Sequence, residues 1–310
     1  MGGKRNEAAP GRLFTILFGL LVRARNRAAR IGRRVKLALR GYDRPRPEDR
    51  AGLETLRSRL PELGRYEEKG ALRQLRARAL LKGYRDLEAY AADADEAELK
   101  ELKENLTFTG THFFRGGVWP ALADACREAF SGRDRVRIWC AGCASGKEVY
   151  SILMTLREIL PPEAAEVLAT DHNEEMLARC RRGCYPLRTL DEIPARYRHF
   201  VETRRAGPGE ETELAYRWQI RFREELRRQI ATERMDLLKD PCPGVFDLIL
   251  CRNVIKFFTP EARLAVQRAL AGALEPGGLL VLSEQREEEI PDPAALGLAR
   301  LAPGLYRKMG

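Results

Sequence analysis

The sequence predicts an α/β protein: a doubly wound parallel sheet carrying a small β-subdomain insertion, preceded by a small all-α domain. Three observations support that class. Leucines recur at helical spacing ahead of residue 110, at Leu53, Leu56 and Leu60 and again at Leu99, Leu102 and Leu106, with no strand-like alternation between them. After Val136, short apolar runs alternate with helical ones, the pattern of strands joined by crossover helices. Between Phe200 and Leu238 the alternation lapses, and "ELAYRWQIRF" reads as a strand beside polar turns.

The 310 residues exceed what one compact core holds. They divide into a basic tail and linker over 1–50, a helical domain over 51–110 and a larger domain over 111–310, with the β-insertion at about 200–235. The net charge is +10, yet residues 1–40 hold eleven Lys or Arg against one acid, Glu7. The remaining 44 bases and 44 acids leave the body neutral, so the basic pI does not point to specific nucleic-acid binding. Within the tail, "LFTILFGLLV" is too short to cross a bilayer as a helix. The arginines after it, with no small-residue cleavage pattern, do not match a secretory signal. Two readings of the tail stay open: an interfacial helix whose arginines meet anionic lipid, or a helix that docks on a partner or on the body.

"GYDRPRPEDR" (Gly41 to Arg50) is a linker rich in proline and charge. Asp95, with Glu98 three residues on, marks a helix start of the capping-box kind. In the larger domain "VRIWCAG" is a strand that breaks at Gly142, followed by a helix from Glu148 to Leu160. "AEVLATD" is a second strand ending in Asp171, and "EEMLARCRRG" a helix that stops at Gly183. "VFDLILCRN" has the pattern of a buried strand, a helix runs from Pro260 to Leu274, and "PGGLLVLSE" closes the series.

This frame places "CAGCASG" at the carboxyl edge of the first strand. Small residues there, Gly142 and Gly146 above all, let a ligand approach the backbone, and the free N–H groups of the following helix face it. Asp171 ends the next strand, where a carboxylate can accept both hydroxyls of a ribose. Cys140 and Cys143 have the spacing of a zinc knuckle or redox pair, and Cys180 with Cys184 makes a second pair. However, Cys140 belongs to the strand and Cys180 and Cys184 to a helix end, where cysteine serves as a small apolar residue, so no metal is expected. Seven cysteines, scattered through apolar or helical stretches, suit reduced thiols in a cytosol.

Read together, "TGTHFFR", "IWCAGCASGKEVYS", "ATDHNEEML" with "GCYP", "MDLLKD", "FDLILCRNVIKFF", "GGLLVLSE" and the terminal "LYRK" resemble the CheR family of chemotaxis methyltransferases, from about Leu80 to Lys308. The resemblance implies a helical N-terminal domain beside a Rossmann-like S-adenosylmethionine methyltransferase domain with a β-subdomain. The implied activity is methyl transfer from S-adenosylmethionine to glutamate carboxylates of chemoreceptors. The protein is expected to be a cytoplasmic monomer, and any placement at the inner membrane falls to the tail over 1–40, which is not part of the family pattern. The resemblance implies that Thr111 and Arg115 face the cofactor and the reacting carboxylate, that Glu148 lies near the cofactor, and that Asp171 binds the ribose. Asp236 and Leu237 fall where the family contacts adenine, and Arg252 with Asn253 where it contacts the cofactor. Such a reaction needs no general base, because a glutamate is already ionised at neutral pH. It needs alignment and exclusion of water.

Several positions depart from the family pattern. Phe257 stands where a tyrosine that orients the reacting groups is usual. Thr109 and Asp236 each replace an asparagine among the cofactor contacts, Lys147 replaces a glutamate, and Val149 a proline. These departures leave two alternatives to receptor methylation: a methyltransferase of the same fold acting on another acceptor, or a cofactor-binding regulatory module with weakened catalysis.

Overall fold

A computed structural model describes residues 46–105, 111–205 and 218–310. The expectations for the tail before residue 46, for Leu106 and Thr109, and for the first half of "ELAYRWQIRF" lie outside the described residues. The chain divides into two compact units, Met1–Thr107 and Phe108–Gly310.

In the first unit the described chain forms helices α1 (Asp49–Arg59), α2 (Glu68–Leu81), α3 (Leu87–Asp93) and α4 (Glu96–Asn105), with a 3₁₀ turn at Pro61–Arg65. Leu53, Leu56, Leu75, Leu87, Tyr90, Leu99 and Leu102 share one core, and Leu60 packs on its margin. Gly52 lets α1 and α3 touch backbone to backbone, since a Cβ there would sit 2.6 Å from the Leu87 carbonyl carbon. Only half of the expected capping box forms. The Asp95 carboxylate accepts the Glu98 N–H at 2.8 Å. The Glu98 side chain does not reach back; it accepts from Arg78 Nε at 2.7 Å and Tyr90 Oη at 2.7 Å and pairs with Lys82. Cations from a neighbouring helix outcompete a single backbone N–H for that carboxylate.

The second unit opens with α5 (Trp119–Phe130) and then alternates: β1 (Val136–Ala141), α6 (Lys147–Leu156), β2 (Ala165–Asp171), α7 (Glu174–Arg182). A short β3 (Cys184–Pro186), β4 (Val201–Arg205), β5 (Trp218–Phe222) and α8 (Glu224–Arg227) follow. The chain closes with β6 (Ile230–Arg234), β7 (Phe246–Leu250), α9 (Pro260–Gly272), β8 (Leu274–Val281), β9 (Leu298–Ala302) and β10 (Leu305–Lys308). Seven strands form one sheet in the order β6-β2-β1-β7-β8-β10-β9. The first five are parallel; β10 runs antiparallel to β8 and to β9. Every residue of β1 except Arg137 is buried, as expected of a parallel strand covered on both faces. β1 lies between β2 and β7, so the winding reverses there and a crevice opens at the carboxyl ends of those strands.

Several boundaries differ from the sequence expectation. The strand expected over 245–253 stops at Leu250, and the helix expected to reach Leu274 stops at Gly272, so that Leu274 opens β8. The antiparallel subdomain sheet has the order β3-β5-β4, so it begins at Cys184 rather than near residue 200. Its first strand has three residues, too few to display an alternation. Ile230–Arg234, placed by sequence in the insertion, instead extends the main sheet beside β2 in parallel register, Val167 opposite Ile230. As a half-exposed edge strand it carries the mixed pattern of a hairpin strand. Helix α6 stops at Leu156 instead of Leu160, ahead of Pro161 and Pro162, which cannot continue it. Among the described residues no helix is long and apolar enough to cross a membrane.

Candidate active site

The loop from β1 to α6 lies at the reversal point. Gly142 and Gly146 adopt φ of 72° and 82°, and Ala144 is left-handed too, at 46°. Both glycines are also sterically required. A Cβ at Gly142 would lie 2.5 Å from Val254 Cγ2, and one at Gly146 would lie 2.3 Å from Cys180 Sγ. The loop is thus packed between the segment after β7 and helix α7. Cys140 and Cys180 are buried in the same core as Cys143, and burial pushes the Cys140 thiol well up. Cys143 is also raised, first by its hydrogen bond with Cys180 and then by burial. The Cys-x-x-Cys is split between a sheet interior and a loop, and each thiol has a packing role.

Asp171, at the tip of β2, is 8% exposed. Its Oδ2 accepts the Ala144 N–H at 2.8 Å and its Oδ1 the Asn173 N–H at 3.0 Å. It therefore ties the β1 loop to the end of β2. Asp236 and Leu237 follow β6 next to it, with the Met235 N–H donating to the Asp171 carbonyl at 3.0 Å. The Asp236 carboxylate accepts the Leu238 N–H at 3.0 Å and so shapes its own turn.

A second group gathers around Arg252, buried just past β7. Its Nη1 donates to Glu148 in the first turn of α6, and its Nη2 donates to the Arg115 carbonyl at 2.8 Å. Its guanidinium also lies over the Trp119 ring, 5.7 Å from the centroid. Burial raises the Glu148 carboxyl above its ordinary range, against the opposing pull of Arg252 and Arg115. One buried arginine thus connects α6, the segment after β7 and the "THFFR" segment. That segment is held further by the Phe114 N–H, which donates to Ser151 Oγ at 3.0 Å. Phe114 itself is left-handed, at φ 47°, and stacks on Tyr197 with ring centroids 5.2 Å apart. Phe113 packs against Tyr185 and Phe222 of the antiparallel sheet. Thr111 and Arg115 are half-buried beside these anchors.

Asn253 is also left-handed, at φ 61°. Its Nδ2 donates to Ser283 Oγ at 3.1 Å, and its N–H donates to Glu288 at 3.0 Å. Phe257 ends the 3₁₀ turn Ile255–Phe257, with the Lys256 ammonium 5.1 Å from its ring centroid. Lys147, the unusual residue at the start of α6, turns away from this group. Its Nζ donates to both Glu192 oxygens, at 3.2 and 3.0 Å, and lies 5.1 Å from the Phe113 ring centroid. Burial pulls the Lys147 ammonium down while Glu192 pulls it back up. Burial would raise Glu192, but the Phe113 N–H, Lys147 and His112 outweigh it and hold the carboxyl below its usual range.

The structure therefore joins Arg115, Glu148 and Arg252 in one network, and ties the loop carrying Gly142 and Gly146 to Asp171 through the Ala144 N–H, with Val254 packed against Gly142. Asp236, Leu237 and Phe257 lie in the neighbouring segments after β6 and β7. Sequence reasoning missed Ser151, Glu192 and Glu288. The last two are single acids in charged stretches, "LDE" and "REEE", which read as solvated turns. Nothing in their spacing marks a buried acceptor.

Residues 110–293 match the family model for the CheR methyltransferase, SAM binding domain. Over 219 residues the chain is 34% identical to the chemotaxis protein methyltransferase of Listeria monocytogenes, a match covering 69% of this chain and 78% of that one. The chemotaxis protein methyltransferase of Salmonella typhimurium is 32% identical over 214 residues, covering 67% and 71% of the two chains. The Escherichia coli protein of the same name is 31% identical over 214 residues, with the same coverage of 67% and 71%.

Proposed function

Because the chain belongs to the CheR methyltransferase family, we propose that it transfers methyl groups from S-adenosylmethionine to glutamate carboxylates of a chemoreceptor-like, membrane-associated protein, giving methyl esters. The observation that carries this reading is the tie made by Arg252, which joins Glu148 on α6 to the main chain of Arg115 at the reversal point of the sheet. The residues fit the cofactor. Each Asp171 oxygen accepts one main-chain N–H; Oδ1 also lies 3.5 Å from His172 Nδ1, while Oδ2 keeps a lone pair for a ribose hydroxyl. The left-handed glycines keep the β1 loop free of side chains that would stand between backbone and ligand. Asp171 would hold the ribose and Asp236 with Leu237 the adenine, with Thr111, Glu148, Arg252 and Asn253 as further cofactor contacts.

When bound, S-adenosylmethionine supplies a methyl group on a positive sulfonium. The acceptor glutamate arrives ionised, so the chain has only to orient it and keep water away. Arg115 would grip that carboxylate by charge-assisted hydrogen bonds. Its backbone is already fixed through Arg252 and, one residue before, through Ser151, so alignment requires little rearrangement. The basic tail over 1–40 would bring the protein, as a cytoplasmic monomer, to the membrane surface or to a partner. One observation favours a second reading, methylation of another acceptor or a regulatory module with weakened catalysis: Phe257 offers no hydroxyl near the acceptor.

The test uses methyl-labelled cofactor, the full chain and bacterial membranes. Label released as methanol by mild alkali is the expected result and identifies a carboxyl ester. Base-stable label means a different acceptor, and cofactor binding without labelling means the regulatory module.

A further inference from the structure

In sequence "REEE" has the look of a solvated turn, yet Glu288 is 0% exposed. Its Oε2 accepts the N–H of Ser283 at 2.8 Å and of Asn253 at 3.0 Å, and its Oε1 accepts the N–H of Lys256 at 3.3 Å. Two of these three donors lie in the segment after β7, on either side of Val254, which fills the space above Gly142. The backbone at Glu288 is anchored in turn. Buried Gln267 on α9 donates its Nε2 to the Glu288 carbonyl at 3.2 Å, and the Ile290 N–H donates to Tyr306 Oη at 3.2 Å.

A carboxylate is costly to bury unless its lone pairs are filled. Packing alone would be served better by an apolar side chain. What the carboxylate does here is gather three main-chain N–H groups from outside the strands and α-helices, and it does so where the chain takes the uncommon left-handed turn at Asn253. We propose that Glu288 is a positioning residue of the methyl-transfer site. It fixes the turn from Asn253 to Lys256 and thereby sets how Asn253 and Phe257 are presented to cofactor and acceptor. This rests on the assignment of Asn253 to the cofactor site.

The test measures S-adenosylhomocysteine binding by calorimetry on the full chain, for Asn253→Ala, Glu288→Gln and Gln267→Met. Glu288→Gln sets an amide donor against one of the gathered N–H groups. The expected result is a Kd about tenfold weaker in the folded fraction. Gln267→Met frees the backbone at Glu288 without touching its carboxylate, and should weaken binding about threefold. It supplies the answer if Glu288→Gln does not fold. A merely structural role predicts fewer binding-competent molecules with unchanged Kd, and that result overturns the proposal. If Asn253→Ala weakens binding while both other variants bind normally, the cofactor assignment stands and the positioning role falls. If Asn253→Ala also binds normally, the assignment fails and the proposal fails with it.

Discussion

Lys147 opens α6 directly after the β1 loop, and its charge goes to Glu192 and the Phe113 ring. The same residue-scale logic applies to Asp171. It holds two main-chain N–H groups with the His172 ring beside Oδ1, and Oδ2 retains capacity for a further donor, so Asp171→Ala should weaken S-adenosylhomocysteine binding by about tenfold or more in a calorimetric titration. Unchanged affinity would remove it from the ribose site. Phe257 is the converse case, a ring without the hydroxyl. One hydrogen bond of about 1 kcal/mol restored in the transition state corresponds to roughly a fivefold gain, so Phe257→Tyr should raise kcat by that order in the methanol-release assay. Asp171 was singled out in the sequence by its place at the end of an apolar run, and Phe257 by its place in a family motif. Glu192 and Glu288 were not, because burial of an acid depends on which N–H groups the fold delivers to it.

At the scale of elements, the β1 loop works through contact rather than flexibility. Gly146 combines a φ of 82° with the space taken by Cys180, whose Sγ and Cα would lie 2.3 and 3.0 Å from an added Cβ. Gly146→Ala therefore carries both a conformational and a steric penalty, about 2–4 kcal/mol together. In a scanning-calorimetry trace this should lower Tm by roughly 5–10 °C. A loss of less than about 1 kcal/mol would mean that α7 yields and the loop is not clamped. Sequence placed β1, β2 and α7 almost to the residue, since each is an apolar or amphipathic run closed by glycine or acid. It misplaced β3 and β6. A three-residue strand and a half-exposed edge strand carry little periodicity of their own, and pairing with distant partners decides them.

For the whole molecule, charge tells two stories. The tail carries the net charge, while inside the helical unit Glu98 gathers Arg78 of α2, Lys82 just past its end and Tyr90 of α3. Burial alone would raise Glu98, but those hydrogen bonds outweigh it and hold the carboxyl at about 2. Its folded value lies below the unfolded one near ~4.3, so its contribution is present above that pH and is lost as pH falls toward the folded value. Glu98→Gln should accordingly cost about 2–3 kcal/mol at neutral pH in urea unfolding, and the gap from the parent should close between about pH 4 and pH 2. A gap independent of pH would assign the loss to packing instead. By itself the sequence determined the class of fold, the order of its main elements, the family and the cofactor, because periodicity, glycine placement and motif order are local properties of the chain. Only the tertiary structure decided that Arg252 binds Glu148 and the Arg115 backbone, that Lys147 turns to Glu192, and that Glu288 is buried. Each of those contacts joins residues more than thirty positions apart, and what a charged side chain does is set by the partners that folding brings within about 3 Å of it.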